Sequence, residues 1–280
     1  MNNRKITIVI NTFKSEDIIS SCLDSIDKEF KVLIIENSNN KNLKQKLEKD
    51  YPNVECFLTG DNLGYAKGNN LGLSKVTSQY ALILNPDATL TKNTLNNFLI
   101  SAEKIKDFSI IGPAKQDEFS VSDKNKDKGE LFEVEKLKGF AMLLNLDQFK
   151  EIGFFDDNFF IYLEEMDLCR RVKKNKKKIY LDKNIIINHI GGSSHNKEIN
   201  FEMEMSRNWH WMWSTFYFNK KHFGYLRALT KVSGSFLSAL IKMIYYFLVL
   251  KKNKSKIYYQ RFSGLYNSML GKESWYRPKI

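Results

Sequence analysis

Acids, amides and one histidine at the ends of apolar runs are the residues of this chain whose types and spacing could do chemistry. In "LILNPDATL" (82–90) an apolar run stops at Asn85, Pro86 cannot donate to a ladder, and a single acid, Asp87, follows. In "NIIINHIGGSSH" (184–195) a second apolar run delivers His189 just before two glycines. Taken singly, the first is a turn and the second a structural histidine. Together, Asp87 and His189 form a ligand set for a hard divalent cation, with diphosphate oxygens and water completing the shell. A third group lies in "FFIYLEEMDLCRRV" (159–172), where Leu163, Met166, Cys169 and Val172 recur as a helix face and place Glu164, Glu165 and Asp167 in its first turn. Acids there are favoured by the helix dipole at ~0.3–1 kcal/mol each, and Arg170 and Arg171 can pair with them at helical spacing, so a structural role is sufficient. The alternative is a general base partly buried behind Phe159, Phe160 and Tyr162. Finally, "GDNLGYAKGNNLGL" (60–73) combines Gly64, Gly68 and Gly72, which permit close backbone approach, with Asn62, Lys67, Asn69 and Asn70, whose donors suit diphosphate or sugar hydroxyls. A polar loop entering a helix would look the same.

The elements that must position these residues follow from periodicity. Short apolar runs ("ITIVI", "KVLIIE", "VECFL", "YALILN") alternate with helical patterns at Ile18–Ile26, at Leu43–Leu47 and after Gly68. That alternation predicts the α/β class, a mostly parallel sheet covered by helices. Ligands of such sheets lie beyond the carboxyl ends of the strands. Those ends read Asn11-Thr12, Glu36-Asn37, Gly60-Asp61-Asn62 and Asn85-Pro86-Asp87. Because the first glycine is Gly60, the first strand-to-helix turn carries neither a dinucleotide fingerprint nor a P-loop. Residues 115–130 read as an exposed polar loop, and "LKGFAMLLN" as a further strand.

Composition narrows the class. The 280 residues are 42% hydrophobic and 27% charged, which suits a globular fold, and the three cysteines lack metal-ligand spacing, so a reducing cytoplasmic setting is expected. Asn11 and Thr12 interrupt the N-terminal apolar run too soon for a signal peptide. The formal net charge of +12 calls for an anionic partner: nucleic acid, a membrane surface or a phosphorylated substrate. Residues 232–250 approach the length of a membrane span, yet Arg227, Lys231, Ser235, Ser238, Lys242 and Tyr246 recur as a polar stripe, with Lys251, Lys252, Lys254 and Lys256 beyond. A helix lying in the membrane interface across 227–256 accounts for both features better than a span. A helix packed on the protein or on a partner subunit is the third option.

The order of the motifs carries a resemblance. "TIVINTFKSE", "VLIIENSN", "DNLGYAKGNNLGL", "LNPDA", "GFAMLLN" and "GFFDDNFFIYLEEMDLCRR", running from about residue 5 to about residue 195, resemble in sequence and order the family 2 glycosyltransferases of the GT-A fold, particularly their bacterial rhamnosyltransferase-like branch. The resemblance implies a Rossmann-like mixed sheet flanked by helices, here with a helical, amphipathic C-terminal region. It implies a GT-A catalytic domain at 1–205, split into a nucleotide-sugar half (1–112) and an acceptor half (113–205), ahead of a basic, aromatic region at 206–280. Donor contacts would fall on Thr12, Phe13, Glu36, Asn37, Asn62, Gly64, Lys67, Asn70 and Asn85. Acceptor contacts would fall on Gly139, Glu164 and Asp167. Asp87 stands where a metal-binding DxD motif lies, with Asn85 in place of the first acid, and joins His189 on Mg²⁺ or Mn²⁺. Glu165 takes the base position, with one more methylene than the aspartate usual there.

The implied activity is an inverting transfer from a nucleoside-diphosphate sugar, dTDP-rhamnose or a UDP-linked sugar, to a glycan or lipid-linked acceptor in cell-surface polysaccharide (O-antigen) synthesis. The expected location is the inner face of the cytoplasmic membrane, as a peripheral protein without nucleic acid. Two alternatives compete. A sugar-nucleotide nucleotidyltransferase usually shows a glycine-rich N-terminal loop, which this chain lacks. A non-enzymatic membrane- or nucleic-acid-binding module would draw on "KKNKKK" (173–178), a run that more often forms a solvated helix end.

Overall fold

In chain order the elements are β1 (Ile6–Thr12), α1 (Ile19–Asp24), β2 (Lys31–Glu36), α2 (Lys41–Asp50), β3 (Val54–Leu58), α3 (Gly64–Leu73), β4 (Tyr80–Leu84), β5 (Ala88–Leu90), α4 (Thr94–Lys104), β6 (Ile110–Pro113), β7 (Leu131–Glu133), β8 (Ala141–Asn145), α5 (Glu164–Lys174), β9 (Ile179–Asp182), β10 (Ile187–His189), α6 (Asn200–Phe223), α7 (Tyr225–Leu248) and α8 (Lys252–Met269). The computed structural model describes residues 5–113, 129–189 and 199–279. Most of the polar stretch at 115–130 and the glycines after His189 lie outside the described residues.

Eight strands form one sheet in the order β3-β2-β1-β4-β8-β6-β9-β7. The first four strands pair in parallel, β3 on β2 on β1 on β4. Beyond β4 the pairing turns mixed, because β8 runs antiparallel to both β4 and β6. Parallel strands must be covered on both faces, which is why β1, β2 and β4 read as nearly unbroken apolar runs. Alternate residues serve opposite faces: Ile6, Ile8 and Ile10 join Cys22, Leu43, Leu47, Phe98 and Leu99 from α1, α2 and α4 in one core cluster. On the other face α3 lies so close that a Cβ on Gly72 would sit 2.4 Å from Val9 Cγ1, and one on Gly68 2.5 Å from Asn11 Nδ2. Each fully buried Leu or Ile in these layers stabilises the fold by about 1.5–3 kcal/mol.

The chain divides into two compact units: residues 1–63, 67–155 and 165–196, and residues 64–66, 156–164 and 197–280. The boundary expected between 205 and 206 falls inside α6. In the second unit α6, α7 and α8 pack together around Met212, Phe216, Ala228, Val232 and Leu265. The wholly buried Trp209 donates its indole N–H to Ser263 Oγ at 3.2 Å. His210 is buried with both ring nitrogens engaged: Nε2 lies 2.9 Å from the Tyr276 carbonyl, which can only accept, so that nitrogen carries the hydrogen and Nδ1 accepts from Ser274 Oγ at 3.0 Å. Burial, with the charge of Arg277 adding, pushes its pKa down to about 3.

Among the described residues no helix is long and apolar enough to cross a membrane. α7 is packed within its own unit through Ala228, Val232 and Ala239, its small apolar residues, while Arg227, Lys231, Ser235 and Lys242 of the polar stripe are exposed.

Candidate functional site

Parallel register sets the strand ends side by side. Thr12 pairs with Glu36 and Glu36 with Leu58, while Ile10 pairs with Leu84, so Asn11 near the end of β1, Asn37 just past β2 and Asn85 just past β4 all lie at the carboxyl end of the sheet. Just beyond β4 the chain turns through Pro86 and Asp87 into the short β5, which pairs antiparallel with β10 in the register His189↔Ala88. That two-stranded ribbon brings together residues more than a hundred positions apart in sequence. His189 Nε2 lies 3.2 Å from Asp87 Oδ1. Phe140 stacks on the imidazole, centroids 4.6 Å apart and planes 11° from parallel, and its carbonyl accepts the Asn85 N–H at 2.8 Å.

Asp87 is 7% exposed, and neither its Oδ1 nor the buried Oδ1 of Asn85 accepts a hydrogen bond from a described residue. Buried acceptor oxygens are normally satisfied, so oxygens left in this state beside an imidazole suit a group that supplies positive charge. Carboxylate, amide oxygen and imidazole are ligands that Mg²⁺ or Mn²⁺ accepts. No cluster of three or more His, Cys, Asp or Glu suited to a metal ion occurs among the described residues, so Asp87, His189 and Asn85 would supply only part of such a cation's shell. The buried Cys22 thiol is pushed up to about 12 by burial, with the Asp87 carboxylate adding, which leaves it protonated and inert.

Several expected donor contacts carry structural hydrogen bonds or close packing. The Thr12 hydroxyl donates to the Ile35 carbonyl at 3.3 Å and is buried. The wholly buried Glu36 carboxylate accepts from Ser38 N–H (2.9 Å), the Ser38 hydroxyl and Asn40 N–H (2.6 Å), and so fixes the turn after β2. Asn37 donates to Asn11 Oδ1 and accepts the Leu63 N–H at 3.1 Å. The Asn70 amide is turned onto Phe155, giving Nδ2–H to its carbonyl at 2.8 Å and accepting its N–H at 3.0 Å. Gly64 has φ +76°, and a Cβ there would lie 2.4 Å from the Phe160 carbonyl oxygen. In the glycine-asparagine motif residues 60–63 are a loop that enters the helix α3 at Gly64, and Gly64, Gly68 and Gly72 admit close neighbouring protein. Lys67 is exposed, and Phe13, Asn62 and Asn85 are half-buried. Gly139 is half-buried in the turn before β8.

The three acids at the start of α5 separate sharply. Tyr162 and Leu163, both with positive φ (74° and 68°), form a left-handed turn that launches the helix at Glu164. Asp167 is wholly buried and pairs with Arg171 Nε at 2.7 Å. That guanidinium also donates to the carbonyls of Ile152 (2.9 Å), Gly153 (3.0 Å) and Phe154. Asp167, expected as an acceptor contact or a rival of the base, is thus part of a clamp on residues 152–154. Glu164 is buried and Glu165 half-buried, so Glu165 is the more accessible of the adjacent pair.

Residues 7–171 match the family described as "Glycosyl transferase family 2". The chain belongs to that family. This membership argues against the nucleotidyltransferase and the non-enzymatic binding module. It is 26% identical over 192 residues to the low-salt glycan biosynthesis hexosyltransferase Agl10 of Haloferax volcanii, the match spanning 60% of this chain and 62% of that protein. To the rhamnosyltransferase WbbL of Escherichia coli K12 it is 25% identical, covering 59% of this chain and 75% of that one. An N-acetylglucosaminyl-diphospho-decaprenol L-rhamnosyltransferase of Mycobacterium tuberculosis is 21% identical over 57% of this chain and 66% of its own length. Among solved structures, mannosyltransferase PcManGT from Pyrobaculum calidifontis, in complex with GDP-Man and Mn²⁺, superposes with a TM-score of 0.58 at 12% identity, covering 96% of this chain and 88% of that one. S. aureus TarS 1–349 gives 0.57 at 14% identity, with 98% and 93% covered. These likenesses establish the fold, which is the GT-A glycosyltransferase fold expected from the motif order.

Proposed function

We propose that this chain transfers a sugar, with inversion, from a nucleoside-diphosphate sugar to a glycan or lipid-linked acceptor. The observation that carries the proposal is the Asp87–His189 pair at the strand ends, with buried carboxylate and amide oxygens that accept no hydrogen bond from the described protein. Asp87, His189 and Asn85 would hold a divalent cation, which when bound neutralises charge on a diphosphate leaving group. Phe140 keeps the imidazole in plane, and Cys22 stays neutral beneath the acid.

Glu165 serves as the general base. It accepts the proton of the acceptor hydroxyl while that oxygen bonds to the anomeric carbon and the bond from this carbon to the diphosphate oxygen breaks, so the departing nucleoside diphosphate carries the electron pair. Its half-exposure supports that role, whereas the Arg171-paired Asp167 has no lone pair in reach of water. Lys67 and Asn62 offer donors for the diphosphate and sugar.

Rhamnose as the sugar draws on the rhamnosyltransferases among the relatives, and a lipid-diphosphate acceptor on the decaprenol named for one of them. The Mn²⁺ in a structural neighbour supports the cation. Peripheral attachment to the cytoplasmic face of the membrane is supported by the exposed apolar and basic residues where α7 meets α8. A thermal-shift screen of UDP, dTDP and GDP with and without Mn²⁺ tests the reading: cation-dependent stabilisation by one nucleotide identifies the donor class, and no response to any of them removes the proposal.

A further inference from the structure

An apolar groove of about 770 Å³ lies within the second unit, bounded by α6, α7, α8 and the tail after α8. That volume is in the range of small-molecule sites, roughly 300–1,000 Å³. Met205, Met243 and Ile244 line it, Met205 being buried, and Tyr259 and Trp275, which also line it, stand half in solvent (53% and 54% exposed). Two cations, Lys256 and Lys279, line it, and neither forms an ion pair among the described residues. The lone acid there, Glu202, accepts the Lys279 backbone N–H at 3.4 Å.

The groove is continuous with a larger apolar surface. Ile244 and Phe247 line it and are themselves 48% and 71% exposed, and next to them Ile241, Leu248 and Leu250 are 56%, 71% and 80% exposed. α7 turns Ala228, Val232 and Ala239 inward, with Leu229 and Phe236 partly buried beside them, and leaves Leu237, Ile241, Ile244, Phe247 and Leu248 exposed. An exposed apolar patch of this kind marks an interaction site, and the exposed Lys251, Lys252 and Lys254 that follow it suit a phosphate-bearing apolar phase. A flat bilayer contact needs no concavity. A peptide would find helices here, with no open strand edge to pair.

We infer that the groove receives the apolar chain of an isoprenoid or acyl lipid phosphate, with Lys256 and Lys279 meeting the phosphate. The chain leaves the bilayer past Phe247 and Ile244 and lies on Met205 and Met243, with Trp275 and Tyr259 flanking it at interface depth, where amphipathic aromatic rings are favoured. The inference rests on the proposed glycosyl transfer for its purpose, since it makes the acceptor a lipid phosphate or diphosphate.

Calorimetric titration of the full chain with farnesyl phosphate, farnesol and inorganic phosphate tests it, with anionic vesicles in a separate arm. Farnesyl phosphate is expected to bind saturably at one site. Ile244→Glu, at a half-exposed position, should weaken it by about tenfold or more, because a charge then lies against the chain. Lys256→Glu with Lys279→Glu should weaken farnesyl phosphate while leaving farnesol unchanged. Equal binding by the Ile244 variant, binding of inorganic phosphate alone, or binding to vesicles without any to monomeric farnesyl phosphate overturns the groove. Nucleotide thermal shifts on the same variants keep the two readings apart: a chain that binds farnesyl phosphate but no nucleotide retains the groove and loses the transferase, and the opposite result does the reverse.

Discussion

Two acids of this protein sit in buried, polar corners, and they differ in what completes them. Asp167 is matched on its own helix by Arg171, whose remaining donors run to three backbone carbonyls. Asp87 Oδ1 lies 3.2 Å from the His189 imidazole and accepts no hydrogen bond from the described protein. A fully matched buried acid holds a structure together; an acid with capacity left over is suited to a ligand. The distinction lies in the partners, because residue type and burial are nearly the same in both.

The widest separation between the two corners should come from removing each acid. Asp87→Ala is expected to lower transfer by about 10³-fold and abolish Mn²⁺-dependent nucleotide stabilisation, the scale of losing a main electrostatic support of the transition state. Its melting temperature should stay near that of the parent, measured by calorimetry beside a radiolabelled transfer assay. Glu165→Gln should retain nucleotide binding and lose transfer by about 10²–10⁴-fold, the usual share of a general base; unchanged transfer would take Glu165 out of that role. Asp167→Ala reverses the pattern. Leaving Arg171 unmatched should cost about 3 kcal/mol of stability in urea unfolding, while transfer per folded molecule changes little. If Asp167→Ala instead keeps its stability and loses activity, the contrast drawn here fails.

Smaller effects sharpen the picture. Gly72→Ala forces a Cβ to within 2.4 Å of Val9 Cγ1 and should destabilise by about 1–3 kcal/mol, with nucleotide affinity of the folded fraction unchanged. His210 supplies a pH signature. Its folded pKa of about 3 lies below the ordinary value of 6.5, so the unfolded chain binds the extra proton first. Stability is then whole above pH 6.5 and declines as the pH falls from there toward 3, by up to about 1.4 kcal/mol per pH unit. A His210→Gln variant, compared by urea unfolding at pH 7 and pH 5, should show a shallower decline.

Much of this was legible in the residues. The alternation of apolar runs with helical patterns anticipated β1 to β4 with α1 to α3, and the polar strand ends anticipated the edge where Asn85 and Asp87 emerge. The C-terminal polar stripe anticipated a helix, although only Ala228, Val232 and Ala239 of it are fully buried and several of its bulky residues, Ile241, Phe247 and Leu248 among them, face solvent. The roles of the amides were not legible. Asn70, Asn37, Glu36 and Thr12 look like ligand contacts in a linear reading, and each is turned onto backbone or a neighbouring side chain. Phe140 was visible only as part of a strand, because its place beside His189 depends on β8 pairing antiparallel with β4.

Local periodicity is a property of neighbouring residues, so the sequence by itself determined the class of fold, the order of its strands and helices along the chain and the positions where acids and amides leave them. Whether an acid is satisfied is a property of groups meeting across space. The His189↔Ala88 register that sets the imidazole against Asp87, the Arg171 clamp that closes Asp167, and the outward turn of Phe247 and Leu248 were decided only by the tertiary structure, where distant segments compete for the same lone pairs and the same buried surface.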